Sequence, residues 1–238
     1  PIDGVLRHEL ERRGVLVHIV PDYPVTSHAR YESAMAQLAA WAAPRQFDAV
    51  IANTMGSFMG VDLASRLEIP AIWAIHESFP LTVFWAEAFP VGHVAPYVDE
   101  RARHALGYAQ AVLFEATATR ELYRPHVDDQ RLVTLPYGID IAEIDNYRLA
   151  FDRDGFRQTH GIASDERVVL FIGTFEPRKA QAVLVYAMAR IAELHDNFRL
   201  VLVGENGSHY AATVQDLVAE HELEHRVLLV PVTPDTYG

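Results

Sequence analysis

Short apolar runs alternate with segments of helical periodicity along the whole chain, and this alternation limits the possible folds more than any other feature. No run reaches the length of about 20 residues that a membrane-spanning helix needs. Short strands that alternate with helices form βαβ units around a parallel sheet that is covered on both faces. We therefore predict an α/β fold with strands at residues 15–20, 48–52, 71–75, 111–115, 131–135, 168–172, 200–203 and 227–230.

A break in this alternation divides the chain into two domains. Pro136, Tyr137 and Gly138 form a turn signal, and residues 139–161 are polar and contain no clean strand. The alternation restarts at Val168. We predict two Rossmann-like domains, each a doubly wound parallel sheet: an N-terminal domain at residues 1–138, a linker at 139–162 and a second domain at 163–238.

The number of strands indicates that both domains are incomplete. Doubly wound domains have about five or six strands. The second domain offers three strands before the sequence stops, and the first domain opens within a helix. We therefore expect the chain to be a piece of a longer protein, and we expect this piece alone to be inactive.

The charge balance argues against nucleic acid as a partner. Among 238 residues, 20 are basic and 32 are acidic, which gives a net charge of −12, whereas binding to phosphate backbones needs a basic surface. The chain has no cysteine, which removes disulfides, thiolate nucleophiles and cysteine-ligated zinc and is compatible with a reducing compartment. Because no signal peptide pattern opens the sequence either, we expect a cytoplasmic protein.

The single lysine stands where a parallel sheet would bind an anion. Lys179 lies in VVLFIGTFEPRKA, where a buried strand ends at Gly173 and a short loop leads into a helix. Ligands of open α/β sheets bind beyond the carboxyl ends of the strands, and helix N-termini attract anions. Arg178 and Lys179 would place two positive charges there, which suits a diphosphate. The alternative is that both are solvated turn residues.

Several stretches, in this order along the chain, resemble one known family. They are AIWAIHESF, LPYGIDIAEID, FIGTFEPRKAQAVLVYAMARI and LVLVGENG, which begin at residues 71, 135, 171 and 200. Their order and spacing are similar to those of the retaining GT-B glycosyltransferases of family 4. The resemblance covers nearly the whole chain, although no single stretch is specific.

The resemblance implies a role for each matching residue. Arg178 and Lys179 would neutralise the charge that develops on the leaving nucleoside diphosphate, and His76 would reach the donor sugar. No metal and no cofactor are expected, since the two cations take the place of a metal. The implied catalytic residues are His76, Arg178 and Lys179, and the implied donor-binding residues are Gly173, Thr174, Arg178, Lys179, Gly204 and Glu205. Gly138 and Asp140 would mark a hinge with a structural role.

The implied reaction is transfer of a sugar from a nucleotide-diphosphate-sugar donor to a hydroxyl group, with retention of configuration. The acceptor would be a glycan, as in polysaccharide biosynthesis, a lipid-linked sugar or a small molecule. Peripheral contact with the inner face of a membrane is left open, although no basic amphipathic helix is present. Two alternatives remain: a nucleotide-sugar epimerase of the same fold, and a non-catalytic binding or partner subunit.

Three residues depart from the family pattern, and two family landmarks are absent. Thr174 stands where many relatives carry an arginine, Ala180 replaces the usual glycine, and Tyr137 replaces the usual hinge asparagine. The N-terminal glycine-rich loop and the pair of glutamates seven residues apart are both missing from the sequence. Thr174 and Ala180 favour the non-catalytic alternative.

Two further patterns have simpler explanations. His221, Glu222 and His225 match the H-E-x-x-H zinc protease motif, but we expect the helix to end near Glu222, which prevents the histidines from sharing one helical face. The aromatic cluster of Phe79, Phe84, Trp85 and Phe89 is interpreted as core or cleft wall rather than as a sugar-stacking surface.

Overall fold

A computed structural model describes residues 5–20, 24–79, 83 and 94–233. The chain divides into two compact units, residues 1–138 and 139–238, which are called the first and second units below. Each unit contains one sheet whose strands are all parallel and are joined by helices. The predicted α/β class is therefore confirmed.

The sheet of the first unit has the order β1-β2-β3-β4, so each strand pairs with its neighbour in the chain. Its strands are β1 (Val50–Asn53), β2 (Ala71–Ile75), β3 (Ala111–Phe114) and β4 (Leu132–Thr134). The α-helices described in this unit are α1 (Val5–Arg12), α2 (His28–Ala42), α3 (Phe58–Leu67), α4 (Pro96–Tyr108) and α5 (Thr117–Tyr123).

The core of the first unit lies between this sheet and its helices. On β2, Ala71, Trp73 and Ile75 are buried while the residues between them are half-buried, as expected for a strand near the centre of a covered sheet. The indole N–H of Trp73 donates to the carbonyl oxygen of Thr54 at 2.8 Å, which satisfies the one polar group of this side chain.

The predicted strand at residues 15–20 is wrong. These residues have no regular secondary structure, and Val15 and Leu16 are exposed. Among the described residues no strand pairs with them, and an extended segment becomes a β-strand only when a neighbouring backbone satisfies its hydrogen bonds. The apolar pattern of such a segment carries no information about a pairing partner, which a strand needs.

A buried carboxylate connects three helices of the first unit. Asp62 on α3 is fully buried and accepts from the hydroxyl of Tyr31 at 2.7 Å, from Nε of Arg101 at 2.8 Å and from Nε of Arg66 at 3.2 Å. Arg66 also forms a two-pronged ion pair with Glu32, at 2.9 and 2.7 Å. Helices α2, α3 and α4 are thus joined through charge as well as through apolar packing.

We expect the first unit to lose stability as the pH falls from about 4.5 to about 2. Hydrogen bonds from Arg66 are the main reason that the pKa of Glu32 is lowered from 4.5 to about 2, and burial of Glu32 raises this pKa by a smaller amount. A lowered folded-state pKa stabilises the fold above the unfolded pKa, and this contribution disappears on acidification. Because the Glu32 side chain is 36% exposed, the loss amounts to about 1 kcal/mol at most. The free energy of unfolding, measured with urea across this pH range, should depend less steeply on pH in Glu32→Gln than in the parent protein. An equally steep dependence in both proteins would contradict this prediction.

The second unit contains a three-stranded sheet of order β5-β6-β7. Its strands are β5 (Arg167–Ile172), β6 (Phe198–Glu205) and β7 (Val227–Pro231). Helices α8 (Gln181–Ala192) and α9 (His209–Glu220) pack on one face of this sheet. The other face carries the partly exposed side chains of Val168, Leu170 and Ile172, which line an apolar cleft of about 600 Å³ with Phe151 and Phe156.

The segment interpreted as a linker contains two helices that the sequence analysis missed, α6 (Ile141–Ala150) and α7 (Arg153–Thr159). Asp140 caps α6 by accepting from the backbone N–H of Glu143 at 3.0 Å, and Asp152 caps α7 in the same way through Gly155. The D-x-x-E spacing of Asp140 and Glu143 is an N-terminal helix signal. The apolar residues of α6 do not gather on one face and none of them is buried, so the segment lacks the hydrophobic periodicity that indicates a helix.

Candidate functional site

Two glycines bring the ends of β5 and β6 together in the second unit. The N–H of Gly173 donates to the carbonyl of Val203 at 2.9 Å, and the N–H of Phe175 donates to the carbonyl of Gly204 at 3.2 Å. Gly204 has φ +114°, and a Cβ built there would lie 2.4 Å from the carbonyl oxygen of Gly173. Only glycine fits this close approach without displacing backbone.

The two predicted cations follow on a short 3₁₀ turn, Pro177–Lys179. Both side chains are exposed. The guanidinium of Arg178 pairs with the carboxylate of Glu176 at 2.6 Å, whereas Lys179 has no ion-pair partner among the residues that the structure describes. Contact between these two side chains and a phosphate remains a prediction.

Other side chains hold the loops around these cations. Gln181 is fully buried at the start of α8, and its amide donates to the carbonyl oxygens of Gly173 and Thr174 at 3.3 and 3.0 Å. Asn206 donates to the carbonyl of Phe175 at 3.3 Å, and the carboxylate of Glu205 accepts from a backbone N–H at 2.7 Å. The sequence analysis missed Gln181 and Asn206, since polar residues in loops and at helix starts are common.

Ala180 occupies a backbone conformation that favours glycine. It has φ +59° and ψ +31° and connects the 3₁₀ turn to α8. In this left-handed region the Cβ of an L-residue crowds the following carbonyl, which costs roughly 1–2 kcal/mol. The departure from the family pattern at this position therefore strains the loop that carries Lys179.

Replacing Ala180 with glycine is expected to raise the free energy of unfolding of the second unit by about 1 kcal/mol, because the strain is removed. The matched control is Ala187→Gly, at an exposed position in the interior of α8, which should lower the same quantity by about 1 kcal/mol, since glycine disfavours helix interiors. Circular dichroism during urea unfolding measures both changes. A loss of stability in Ala180→Gly would show that this residue is not strained.

In the first unit, polar side chains gather at the carboxyl ends of four neighbouring strands. Asn53 is the last residue of β1, and His76 and Glu115 directly follow β2 and β3. Tyr137 lies three residues beyond the end of β4. The carboxyl ends of parallel strands meet at one edge of a sheet, which is where α/β folds place ligands. The structure thus places His76 in a cluster of hydrogen-bonding groups at this edge.

Both ring nitrogens of His76 have partners. Nε2 lies 2.7 Å from Oδ1 of Asn53, and Nδ1 lies 2.5 Å from the hydroxyl of Tyr137. One carboxylate oxygen of Glu115 lies 3.5 Å from Nδ1. This oxygen is buried and has no hydrogen-bond partner.

A cleft of about 370 Å³ opens beside this cluster and is lined by His76, Glu115 and Tyr137 together with backbone and apolar groups. Partial desolvation and then the negative charges of Glu115 and Glu77 raise the pKa of the Tyr137 phenol, so this hydroxyl stays a hydrogen-bond donor at neutral pH. The sequence analysis missed Asn53 and Glu115 and treated Tyr137 only as a departure. The available signal was their shared position at the end of a strand or within three residues beyond it.

The helix before the zinc protease motif ends close to the predicted position, so the two histidines do not share one helical face. Helix α9 ends at Glu220, and Glu222 has φ +54°, so the chain turns away from the helix between His221 and His225. Among the described residues no group of three or more histidine and acidic side chains is placed to hold a metal ion. Phe84, Trp85 and Phe89 of the aromatic cluster lie outside the described residues.

Two family profiles match the chain. Residues 3–143 match Glycosyltransferase Family 4, and residues 152–237 match Glycosyl transferases group 1.

No helix within the described ranges is long and apolar enough to cross a membrane.

Individual relatives agree with these profiles. A D-inositol 3-phosphate glycosyltransferase of Kineococcus radiotolerans is 30% identical over 111 residues, which are 44% of this chain and 25% of the relative. An uncharacterized glycosyltransferase of Methanocaldococcus jannaschii is 24% identical over 185 residues, which are 74% of this chain and 44% of the relative. The chain thus spans less than half the length of these curated relatives.

Among solved structures, Anabaena HepE in complex with UDP and glucose superposes with a TM-score of 0.72 at 18% identity. The superposition covers 99% of this chain and 61% of HepE. At this identity the likeness shows a shared fold. It supports the GT-B arrangement of parallel sheets that the sequence motifs implied.

Proposed function

Because the chain belongs to glycosyltransferase family 4, we propose that the complete protein transfers a sugar from a nucleoside diphosphate sugar to a hydroxyl acceptor, with retention of configuration. The observation that carries this proposal is the placement of Lys179 and Arg178 just beyond the two strand ends that meet at Gly173 and Gly204. Both side chains are exposed at that edge, and Lys179 has no ion-pair partner among the described residues, so it can pair directly with a diphosphate.

The charge distribution supports the assignment of these cations to the donor. In an acidic chain, Lys179 is the single lysine and has no carboxylate partner among the described side chains. Charge that develops on a leaving diphosphate is stabilised best by groups already in place, since no reorganisation is then needed. Arg178 must first exchange its ion pair with Glu176 for one with the diphosphate, but an exposed ion pair of this kind contributes only about 0–1 kcal/mol.

The donor class is proposed from the same chemistry. HepE, which shares the fold, was solved with UDP and glucose and with UDP-glucose. A uridine nucleotide sugar is therefore the first donor to test. No metal ion is required in the proposal, because Lys179 and Arg178 supply the positive charge.

His76 is proposed to act on the sugar. Its ring borders the cleft of about 370 Å³. Nε2 would exchange the amide oxygen of Asn53 for a sugar hydroxyl, to which an imidazole N–H donates, while Nδ1 keeps its contact with Tyr137. The acceptor is proposed to be a sugar, a lipid-linked sugar or a small molecule that carries a hydroxyl.

One observation favours a second candidate, a subunit that binds the donor without turnover. Thr174 lacks the positive charge that many relatives place at this position, and Ala180 is held in a left-handed conformation. Both features weaken a phosphate site compared with an arginine and a glycine. Binding without transfer would be the result.

The test uses the complete natural protein with UDP-, GDP- and ADP-sugars and a panel of hydroxyl acceptors, with mass analysis of all products. Release of nucleoside diphosphate together with a glycosylated acceptor of retained configuration supports the proposal. An epimerised sugar and free UDP without acceptor would identify an epimerase instead. Calorimetric binding of the diphosphate without any product would identify the binding subunit, and neither binding nor product would overturn all three.

A further inference from the structure

We infer that Tyr137 is a positioning residue for His76: its hydroxyl donates to Nδ1 and thereby keeps the ring proton on Nε2. The catalytic consequence of this inference rests on the proposed function, but the geometry does not. Tyr137 lies 61 positions from His76 in the chain, and it enters the cluster only because β2 and β4 end at the same edge of the sheet.

Asn53 fixes one side of the ring. The amide oxygen Oδ1 can only accept, so its 2.7 Å contact with Nε2 is a hydrogen bond when Nε2 carries the proton. In the neutral ring Nδ1 is then an acceptor. The hydroxyl of Tyr137, at 2.5 Å, supplies the matching donor.

Glu115 opposes this arrangement. Its carboxylate lies 3.5 Å from Nδ1, with one buried oxygen that has no hydrogen-bond partner. A buried acceptor without a partner costs free energy, and a proton on Nδ1 would satisfy it. The hydroxyl of Tyr137 lies 2.5 Å from Nδ1, closer than the carboxylate at 3.5 Å. Because this hydroxyl donates its hydrogen bond to Nδ1, the carboxylate does not determine which nitrogen carries the ring proton.

The charged and titratable groups that face the ring in the described part of the first unit are few. Glu115 and Tyr137 contact Nδ1, and the carboxylate of Glu77 accepts from the backbone N–H of His76 at 3.1 Å and of Met55 at 2.8 Å. The hydrogen bonds of the Glu77 carboxylate are thus with backbone N–H groups. The competition at Nδ1 is between Tyr137 and Glu115.

The test is nitrogen NMR of the complete natural protein labelled with ¹⁵N-histidine, with His76→Ala used to assign the ring signals. In Tyr137→Phe we expect the proton of the neutral ring to move from Nε2 to Nδ1, where it would face the carboxylate of Glu115. Turnover should fall about tenfold, the order of one hydrogen bond, while KM stays within about twofold. In the double variant Tyr137→Phe/Glu115→Gln the carboxylate charge is gone, so Nδ1 should return to the unprotonated state and turnover should recover.

The matched control is Tyr186→Phe, since Tyr186 is a half-exposed tyrosine in the second unit whose ring contacts His221. It should leave the His76 signals unchanged. Because Tyr137 is 67% exposed, its substitution preserves folding, which tryptophan fluorescence verifies. An unprotonated Nδ1 in Tyr137→Phe overturns the inference even where sugar transfer is normal. A protonated Nδ1 in a protein that transfers no sugar supports the positioning role and overturns the proposed function instead.

Discussion

Replacing Lys179 with alanine is expected to lower the turnover of the complete protein by about 10²–10³-fold, the usual effect of removing one fixed charge-stabilising group from a reaction centre. Folding should be preserved, because the side chain is exposed and has no ion-pair partner among the described residues. The measurement is the initial rate of nucleoside diphosphate release at saturating donor. Donor KM should change less than turnover, since the ammonium acts most strongly on the charge of the leaving group.

The control for this variant is Arg190→Ala. Arg190 is another exposed cation of the second unit, on α8, with an 81% exposed side chain that pairs loosely with Glu193 at 3.7 Å. Its removal changes the net charge by the same amount and should leave turnover unchanged. Turnover in Lys179→Ala equal to that of Arg190→Ala would remove Lys179 from the site and leave it a solvated turn residue.

The sequence predicts the position of a strand correctly where burial of its apolar side chains alone determines that position. The run at residues 71–75 follows Pro70, and its observed bounds equal the predicted ones, because a short apolar segment between turn residues fits a covered parallel strand. The run at residues 15–20 has a similar composition and forms no strand. The difference lies in the hydrogen-bonding partner, which the sequence of the strand itself does not encode.

The candidate site was predictable only in part, for a related reason. Gly173, Arg178 and Lys179 are close in the chain, so a local pattern reveals them. The cluster around His76 draws Asn53, Glu115 and Tyr137 from three other strand ends. Only the order and register of the strands bring these side chains together. A list of polar residues at the end of each predicted strand, or within two residues beyond it, would have contained them.

Replacing Asp62 with asparagine is expected to lower the free energy of unfolding of the first unit by about 3–5 kcal/mol. Asp62 is fully buried between Arg66, Arg101 and the phenol of Tyr31. A neutral amide of the same shape leaves Arg101 without its buried counter-charge and leaves Arg66 with Glu32 alone, and breaking a buried ion pair from one side typically costs this much. The loss is a large fraction of the total stability of a domain, which is about 5–15 kcal/mol.

Tryptophan fluorescence during urea unfolding isolates this effect, because all three tryptophans, Trp41, Trp73 and Trp85, belong to the first unit. The matched control is Asp129→Asn: Asp129 also pairs with an arginine, Arg120 at 2.6 Å, but its side chain is 54% exposed. Such a surface pair contributes about 0–1 kcal/mol, so the control should unfold near the parent midpoint. If the two variants shifted the midpoint equally, the Asp62 carboxylate would contribute no more than a surface ion pair, and the junction of α2, α3 and α4 would depend on apolar packing and on the Arg66–Glu32 pair.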